Sequence, residues 1–113
     1  MKIVSDSITI NEVRDMATDL FGHLVKAVVD VDRKIVALNA ELHSDLESLL
    51  LQDGSCQQHL WGVNIYPDET ADEFVEFDSM INVRPSQNNR GRGVESKEVR
   101  DRILAIIEER IAR

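Results

Sequence analysis

The apolar positions of this chain alternate between a helical period and a strand period, and each switch marks an element. In residues 8–22, Ile10, Val13, Met16, Ala17, Leu20 and Phe21 fall on one helical stripe. Thr9 and Glu12 have the spacing of a capping box, Ile8 is placed to staple onto Val13, and Gly22 stands at the C-terminal stop. Residues 23–31 and 34–40 then read as strands. Val25, Ala27, Val29 and Val31 recur with period two, and Asp32-Arg33 makes a hairpin turn between them. Residues 44–53 predict a second helix, capped by Ser44 and Glu47, with Leu46, Leu49 and Leu50 facing inward and Gly54 behind it. Ser55-Cys56-Gln57-Gln58 repeats the cap pattern and predicts one more helical turn before Trp61.

Residues 61–66 and 74–84 read as two further strands, joined by a connection from Pro67 to Glu73 that carries four acids. Residues 97–112 predict the last helix. Ser96 is its N-cap, its stripe is Val99, Ile103, Ile106, Ile107 and Ile111, and Glu98 pairs with Arg102 in the favourable order. The element order is α-β-β-α-β-β-α. Two hairpins predict a mainly antiparallel four-stranded sheet, and three amphipathic helices cover at least one face of it in a two-layer α+β domain. One core is expected, built from Val13, Leu20, Val25, Ala27, Val29, Leu46, Leu50, Val63, Ile65, Phe77, Ile81, Val83, Ile103 and Ile107. The second sheet face is left partly polar.

Length and charge narrow the function classes. With 113 residues, 1–113 reads as a single globular domain, long enough to bury about two thirds of its unfolded surface without a metal or disulfide. Its single cysteine, Cys56, rules out an internal disulfide and fits a reducing compartment. The N-terminus lacks the apolar segment of a signal peptide, and the longest apolar run, Ile103 to Ile107, is far too short to span a membrane. The expectation is a soluble cytoplasmic protein. A formal net charge of −8 argues against a general nucleic-acid binder and against docking on anionic membranes. Yet Ser79 to Val94 holds three arginines and no acid, a local cationic patch that suits a small anion.

The candidate chemistry follows from that patch. On a strand over 74–84, Glu76, Asp78, Met80, Asn82 and Arg84 share one face, and Asn64 of the preceding strand faces the same way. Such a face is either simply solvated or lined for a ligand. Asn and Asp are poor strand formers, so Asn64, Asp78 and Asn82 together ask for a reason. Pro85 holds Arg84 extended, and Gly91 and Gly93 let the loop approach closely. Arg84, Arg90 and Arg92 can each fork onto a carboxylate or phosphate, or else pair with Asp68, Glu69, Asp72 and Glu73.

Glu41, His43 and Asp45 invite a metal reading, with Glu47 beside them, but capping and the helix dipole explain Ser44, Asp45 and Glu47. No structural metal and no cofactor are expected. Cys56 and Ser79 are nucleophile candidates, read more simply as an apolar filler and a spacing residue. His23 and His59 stand at no diagnostic spacing.

Three stretches carry a resemblance: Leu51 to Gln57, Leu60-Trp61-Gly62-Val63-Asn64-Ile65-Tyr66-Pro67, and Asp78-Ser79-Met80-Ile81-Asn82-Val83-Arg84-Pro85-Ser86-Gln87-Asn88-Asn89-Arg90, together with Glu41 to Asp45. In these the chain resembles a small bacterial family of unknown function over nearly its whole length. The resemblance implies a stand-alone bacterial domain and supplies no activity and no catalytic residue.

Two functional readings result. In the first, a small anionic or amide-bearing ligand lies on the open sheet face, clamped by Arg84, Arg90 and Arg92 and oriented by Asn64, Asn82 and Gln87, with Glu76 or Asp78 as general base if there is a reaction. In the second, the same face is an interface of a protein-interaction module, a homodimer in its simplest form.

Overall fold

Local chemistry decides where the first elements begin. The computed structural model describes residues 1–113. It starts with two short strands, β1 (Lys2–Val4) and β2 (Ile8–Thr9), followed by α1 (Ile10–Leu20). Thr9 Oγ1 accepts the Glu12 N–H at 3.2 Å and the Glu12 carboxylate accepts the Thr9 N–H at 2.9 Å, so the capping box forms as expected. Gly22 adopts φ +89° and donates its N–H to the Ala17 carbonyl, which ends the helix. β3 (Val25–Asp30) and β4 (Ile35–Leu38) make the first hairpin. Asp30 sets its turn: Oδ1 accepts the N–H groups of Asp32 and Arg33 at 2.9 and 3.0 Å.

Next come α2 (His43–Gln52), a 3₁₀ turn at Gln57–His59, and β5 (Leu60–Ile65). α2 starts before the expected Ser44–Glu47 box. Its N-cap is Leu42, and no side chain caps it, so Ser44 and Glu47 have no capping role. After a 3₁₀ turn at Ala71–Glu73 comes β6 (Val75–Glu76), then 3₁₀ turns at Met80–Asn82 and Pro85–Gln87. α3 (Lys97–Arg110), N-capped by Ser96 as expected, runs into β7 (Ile111–Ala112).

The main sheet has five strands, in the order β1-β4-β3-β5-β6, and every neighbouring pair is antiparallel. β1 is the strand missing from the four-stranded expectation, because three residues are too few to show an alternation. β2 and β7 pair in parallel as a separate two-stranded sheet. This ties the entry of α1 to the exit of α3, and it shortens the helices expected at 8–22 and 97–112.

The larger correction concerns the layers. α1 and α3 cover one face of the sheet, where Val13, Ala17, Ile103 and Ile107 pack on Val25, Ala27, Val29, Trp61, Val63 and Ile65. α2 covers the other, where Leu46 and Leu50 pack on Val28, Ile35, Ala37 and Leu60. There are two cores, not one, and the second sheet face is not open. The physical reason is visible in β3: Ala27, Val28 and Val29 are apolar in succession, as in a strand covered on both sides. Of the expected core residues, Leu20 and Val83 are exposed, at 44% and 37%. Phe77 is half-buried against the first core and Ile81 against the second.

Candidate functional site

The segment 74–84 does not continue as a strand. β6 stops at Glu76, opposite Asn64, and the chain then folds over the α2 face of β5. Ser79 Oγ accepts the Ile81 N–H at 3.2 Å and starts the 3₁₀ turn. The polar side chains that weaken strand propensity here redirect the backbone. The alternation expected for residues 76–84 is therefore lost. Met80 is 65% exposed and Asn82 is fully buried, although they belonged to one face on a strand.

Most of the arginine and asparagine site proves to be scaffold. Asn82 bonds Gly62 through both ends of its amide and donates to the Arg92 carbonyl at 2.9 Å. Asn89 is buried and donates to the carbonyls of Asn82, Gly91 and Gly93, at 2.7, 3.2 and 2.8 Å. Arg84 reaches the backbone carbonyls of Gln57, at 2.6 Å, and of Leu60, with its guanidinium 4.1 Å from the Trp61 ring centroid. Burial lowers the pKa of this guanidinium, and the nearby Glu47 carboxylate opposes that shift.

Gln87 donates to the Gln58 carbonyl at 3.0 Å, pinning its loop to the turn before β5. The Arg90 backbone N–H bonds Glu95, and its side chain takes part in no hydrogen bond or ion pair. Arg84, Arg90 and Arg92 thus do not converge, and none pairs with the acids of the 67–73 connection. Asp68 of that connection pairs with Arg14 instead.

What remains polar on the α2 face lies at the other end of the strands. Lys26, Asn64 and Glu76 are successive cross-strand partners on β3, β5 and β6. Glu76 Oε1 accepts from Asn64 Nδ2 at 2.8 Å and from the Tyr66 hydroxyl at 2.9 Å. Burial, and next the bond to Glu76, raise the Tyr66 pKa. Arg92 Nε pairs with Asp78 at 2.7 Å. Asn64 is 5% exposed, and its Oδ1 is buried with no partner. Of the candidate bases, Glu76 is thus engaged in orienting Asn64 and Tyr66, and Asp78 in holding Arg92.

His43 joins this group from the first turn of α2. It is 8% exposed, and Nε2 lies 2.8 Å from the Val63 carbonyl oxygen. That nitrogen carries the hydrogen, which leaves Nδ1 with the lone pair. Burial lowers the His43 pKa, and the positive charges of Lys26 and Arg92 act in the same sense, while the Val63 carbonyl and Asp78 oppose it. Glu41 and Asp45 are both exposed, and nowhere do three His, Cys, Asp or Glu side chains assemble to hold a metal. Cys56 is exposed, and Ser79 is buried against Gly62.

The result is a cleft of about 190 Å³ lined by Lys26, Leu42, His43, Ser44, Ser79, Met80, Ile81 and Arg92. Four larger hollows lie elsewhere. One of about 470 Å³ between β6 and α3 is lined mainly by apolar residues, with Arg113 over Phe74. Another of about 590 Å³ holds Gln87 and His59 beside the start of α3. Sequence reasoning missed Lys26, although a lone cation inside the apolar run of β3 was a usable signal. It singled out His43, but as a weak metal ligand.

Two of the stretches that carried the sequence resemblance meet at this cleft. Glu41–Asp45 supplies Leu42, His43 and Ser44, and Asp78–Arg90 supplies Ser79, Met80 and Ile81. The family model described as "Protein of unknown function (DUF5674)" matches residues 2–110. The chain belongs to this family. The DUF5674 match includes every residue that lines the cleft. No curated protein and no solved structure matches the chain. In this DUF5674 domain no helix is long and apolar enough to cross a membrane.

Proposed function

We propose that the cleft between the N-terminus of α2 and the 78–92 segment binds a small ligand with an anionic or amide group. One observation carries this reading. On a protein of net charge −8, the residues lining the cleft include Lys26 and Arg92 and no acid. The uncapped N-terminus of α2 adds unpaired N–H groups and a partial positive charge at the same place. Asp78 engages only Nε of Arg92, so both terminal nitrogens are free to fork onto a carboxylate or phosphate. Leu42 and Met80, 57% and 65% exposed, form an apolar rim.

A thermal-shift screen with inorganic phosphate, sugar phosphates, carboxylic acids and primary amides tests the reading. A ligand at about 100 times its dissociation constant adds roughly 2.7 kcal/mol. In a domain of this size that raises the melting temperature by several degrees. The shift should disappear in Lys26→Ala and Arg92→Ala, which unfold at the same temperature as the wild type without ligand. A shift that survives both substitutions places the ligand elsewhere, and no shift with any of these classes ends the reading.

The exposed Leu42 and Met80 favour one second reading, a protein partner anchored on the rim, in its simplest form a second copy of the chain. Sedimentation velocity decides it: a dimer that Met80→Lys dissociates supports an interface, and a monomer at all concentrations removes the homodimer.

A further inference from the structure

His43 has features that a core histidine does not need. Its Nε2–H is fixed on the Val63 carbonyl, which selects one tautomer and locks the ring. Its other nitrogen, Nδ1, makes no hydrogen bond, yet it is not among the buried polar atoms left without a partner. Nδ1 is therefore accessible, and His43 lines the cleft. The charged groups that face the ring are Lys26 from β3 and Asp78 and Arg92 from the segment after β6. Burial, with the two cations, keeps the imidazole neutral at pH 7, so its lone pair is present where a ligand binds.

We infer that His43 is the proton acceptor of the cleft: Nδ1 takes a hydrogen bond, and in a reaction the proton, from an O–H or N–H of an anion held by Lys26 and Arg92. This rests on the cleft being an anion site, and it narrows the ligand class. The ligand carries a hydroxyl or amide N–H next to its charged group. The transfer balances within the site. Nδ1 gains the proton, Nε2 keeps its own on the Val63 carbonyl, and the ligand's new negative charge lies beside Lys26 and Arg92. Those cations weaken His43 as a base but stabilise the conjugate base it creates, which is the useful direction for proton abstraction. Ser44 and Ser79, also in the lining, stay outside this role.

The test uses the intact protein and two probes, diethyl pyrocarbonate and inorganic phosphate. Nitrogen-15 spectra of the ligand-free protein above pH 7 should show His43 protonated at Nε2 and bare at Nδ1. Diethyl pyrocarbonate should then modify His43 as well as the more exposed His23 and His59. Saturating phosphate should slow modification of His43 alone by about tenfold, as a site nine-tenths occupied requires. In Lys26→Ala the tautomer should persist and the protection vanish. A proton on Nδ1, or a His43 that stays unmodified while His23 and His59 react, overturns the assignment and makes His43 a core residue. A bare, reactive His43 that phosphate does not protect overturns the anion site and, with it, the proton-acceptor role. The ligand-free spectra and modification rates tell that failure from a failure of His43 itself.

Discussion

The side chain of Asn82 acts as a strand for Gly62. Its Oδ1 accepts the Gly62 N–H at 2.8 Å, and its Nδ2 donates to the Gly62 carbonyl at 2.9 Å. β6 ends opposite Asn64, so the Asn82 amide fills the next place along the edge of β5. Asn82→Ala strips both Gly62 groups and the Arg92 carbonyl of their partner, all at a fully buried position. Each unsatisfied buried group costs about 1–3 kcal/mol. We expect Asn82→Ala to lose about 3 kcal/mol or more in urea unfolding, and Asn82→Asp at least as much, because it points an acceptor at two carbonyls. A loss under about 1 kcal/mol would mean that water replaces the amide without cost.

Gly62 and Ser79 are matched in the same place. A Cβ on Gly62 would lie 2.5 Å from Ser79 Cβ and 2.6 Å from its Oγ. Gly62→Ala should destabilise by about 1–3 kcal/mol, the usual cost of overpacking. Ser79→Gly, which removes the obstructing atoms and the cap on Ile81, should cost less in the alanine background than in the wild type. A double-mutant cycle in denaturant reads this as a favourable coupling of about 1 kcal/mol. Additive losses would show that the backbone shifts away from the new methyl.

These contacts explain which parts of the fold were legible. Caps and stripes are local, so Thr9, Glu12, Gly22, Ser96 and the α3 stripe could be read from neighbours in sequence. Strands 25–30 and 60–65 showed their period because one face packs on α1 and α3. Residues 74–84 also alternate, but the alternation was accidental. Ser79, Asn82 and Asn89 satisfy backbone groups remote in sequence, and no periodicity reports that. The cost of Asn and Asp in a strand was a correct signal assigned to the wrong cause: the chain leaves the strand there. The candidate site moved for the same reason. Asn64, Asp78 and Arg92 stayed near one another because β5 and β6 pair as expected at that end. Lys26 and His43 entered from β3 and α2, whose register over that face no sequence pattern fixes.

Arg84 was expected to clamp a ligand. Two backbone carbonyls and the Trp61 ring now hold it. Hydrogen bonds from a charged donor contribute about 1.5–3 kcal/mol each, and a guanidinium over an aromatic face adds roughly 0.5–1 kcal/mol. Because the bond to Gln57 is exposed to water, Arg84→Ala should lose less than that sum, about 2–4 kcal/mol in a denaturant melt, and should leave ligand binding in the cleft unchanged at temperatures where the variant is folded. Arg84→Lys should recover little, because an ammonium cannot fork onto both carbonyls while lying flat on the indole. An Arg84→Ala protein as stable as the wild type would return the residue to the candidate ligand contacts.

His43 gives the fold a dependence on pH whose sign follows from its surroundings. Burial, joined by Lys26 and Arg92, lowers its pKa below the ordinary value of 6.5 that it regains on unfolding. Between the two values the unfolded chain binds the extra proton, so stability rises with pH across that window. The contribution is complete above about pH 6.5, shrinks as the pH falls below it, and is fully lost once the pH is below the folded-state pKa. In acid the imidazolium sits buried at the positive end of α2, where both desolvation and the helix dipole oppose it. Urea melts from pH 8 to pH 4 should therefore show the wild type losing stability relative to His43→Gln as the pH drops, with parallel curves above pH 7. Carboxylates titrate in both proteins and cancel in that difference. The opposite trend, a wild type gaining on the variant in acid, would mean that His43 is protonated in the folded protein, bonded to Asp78 as an imidazolium, and it would remove the neutral base on which the proton-acceptor role depends.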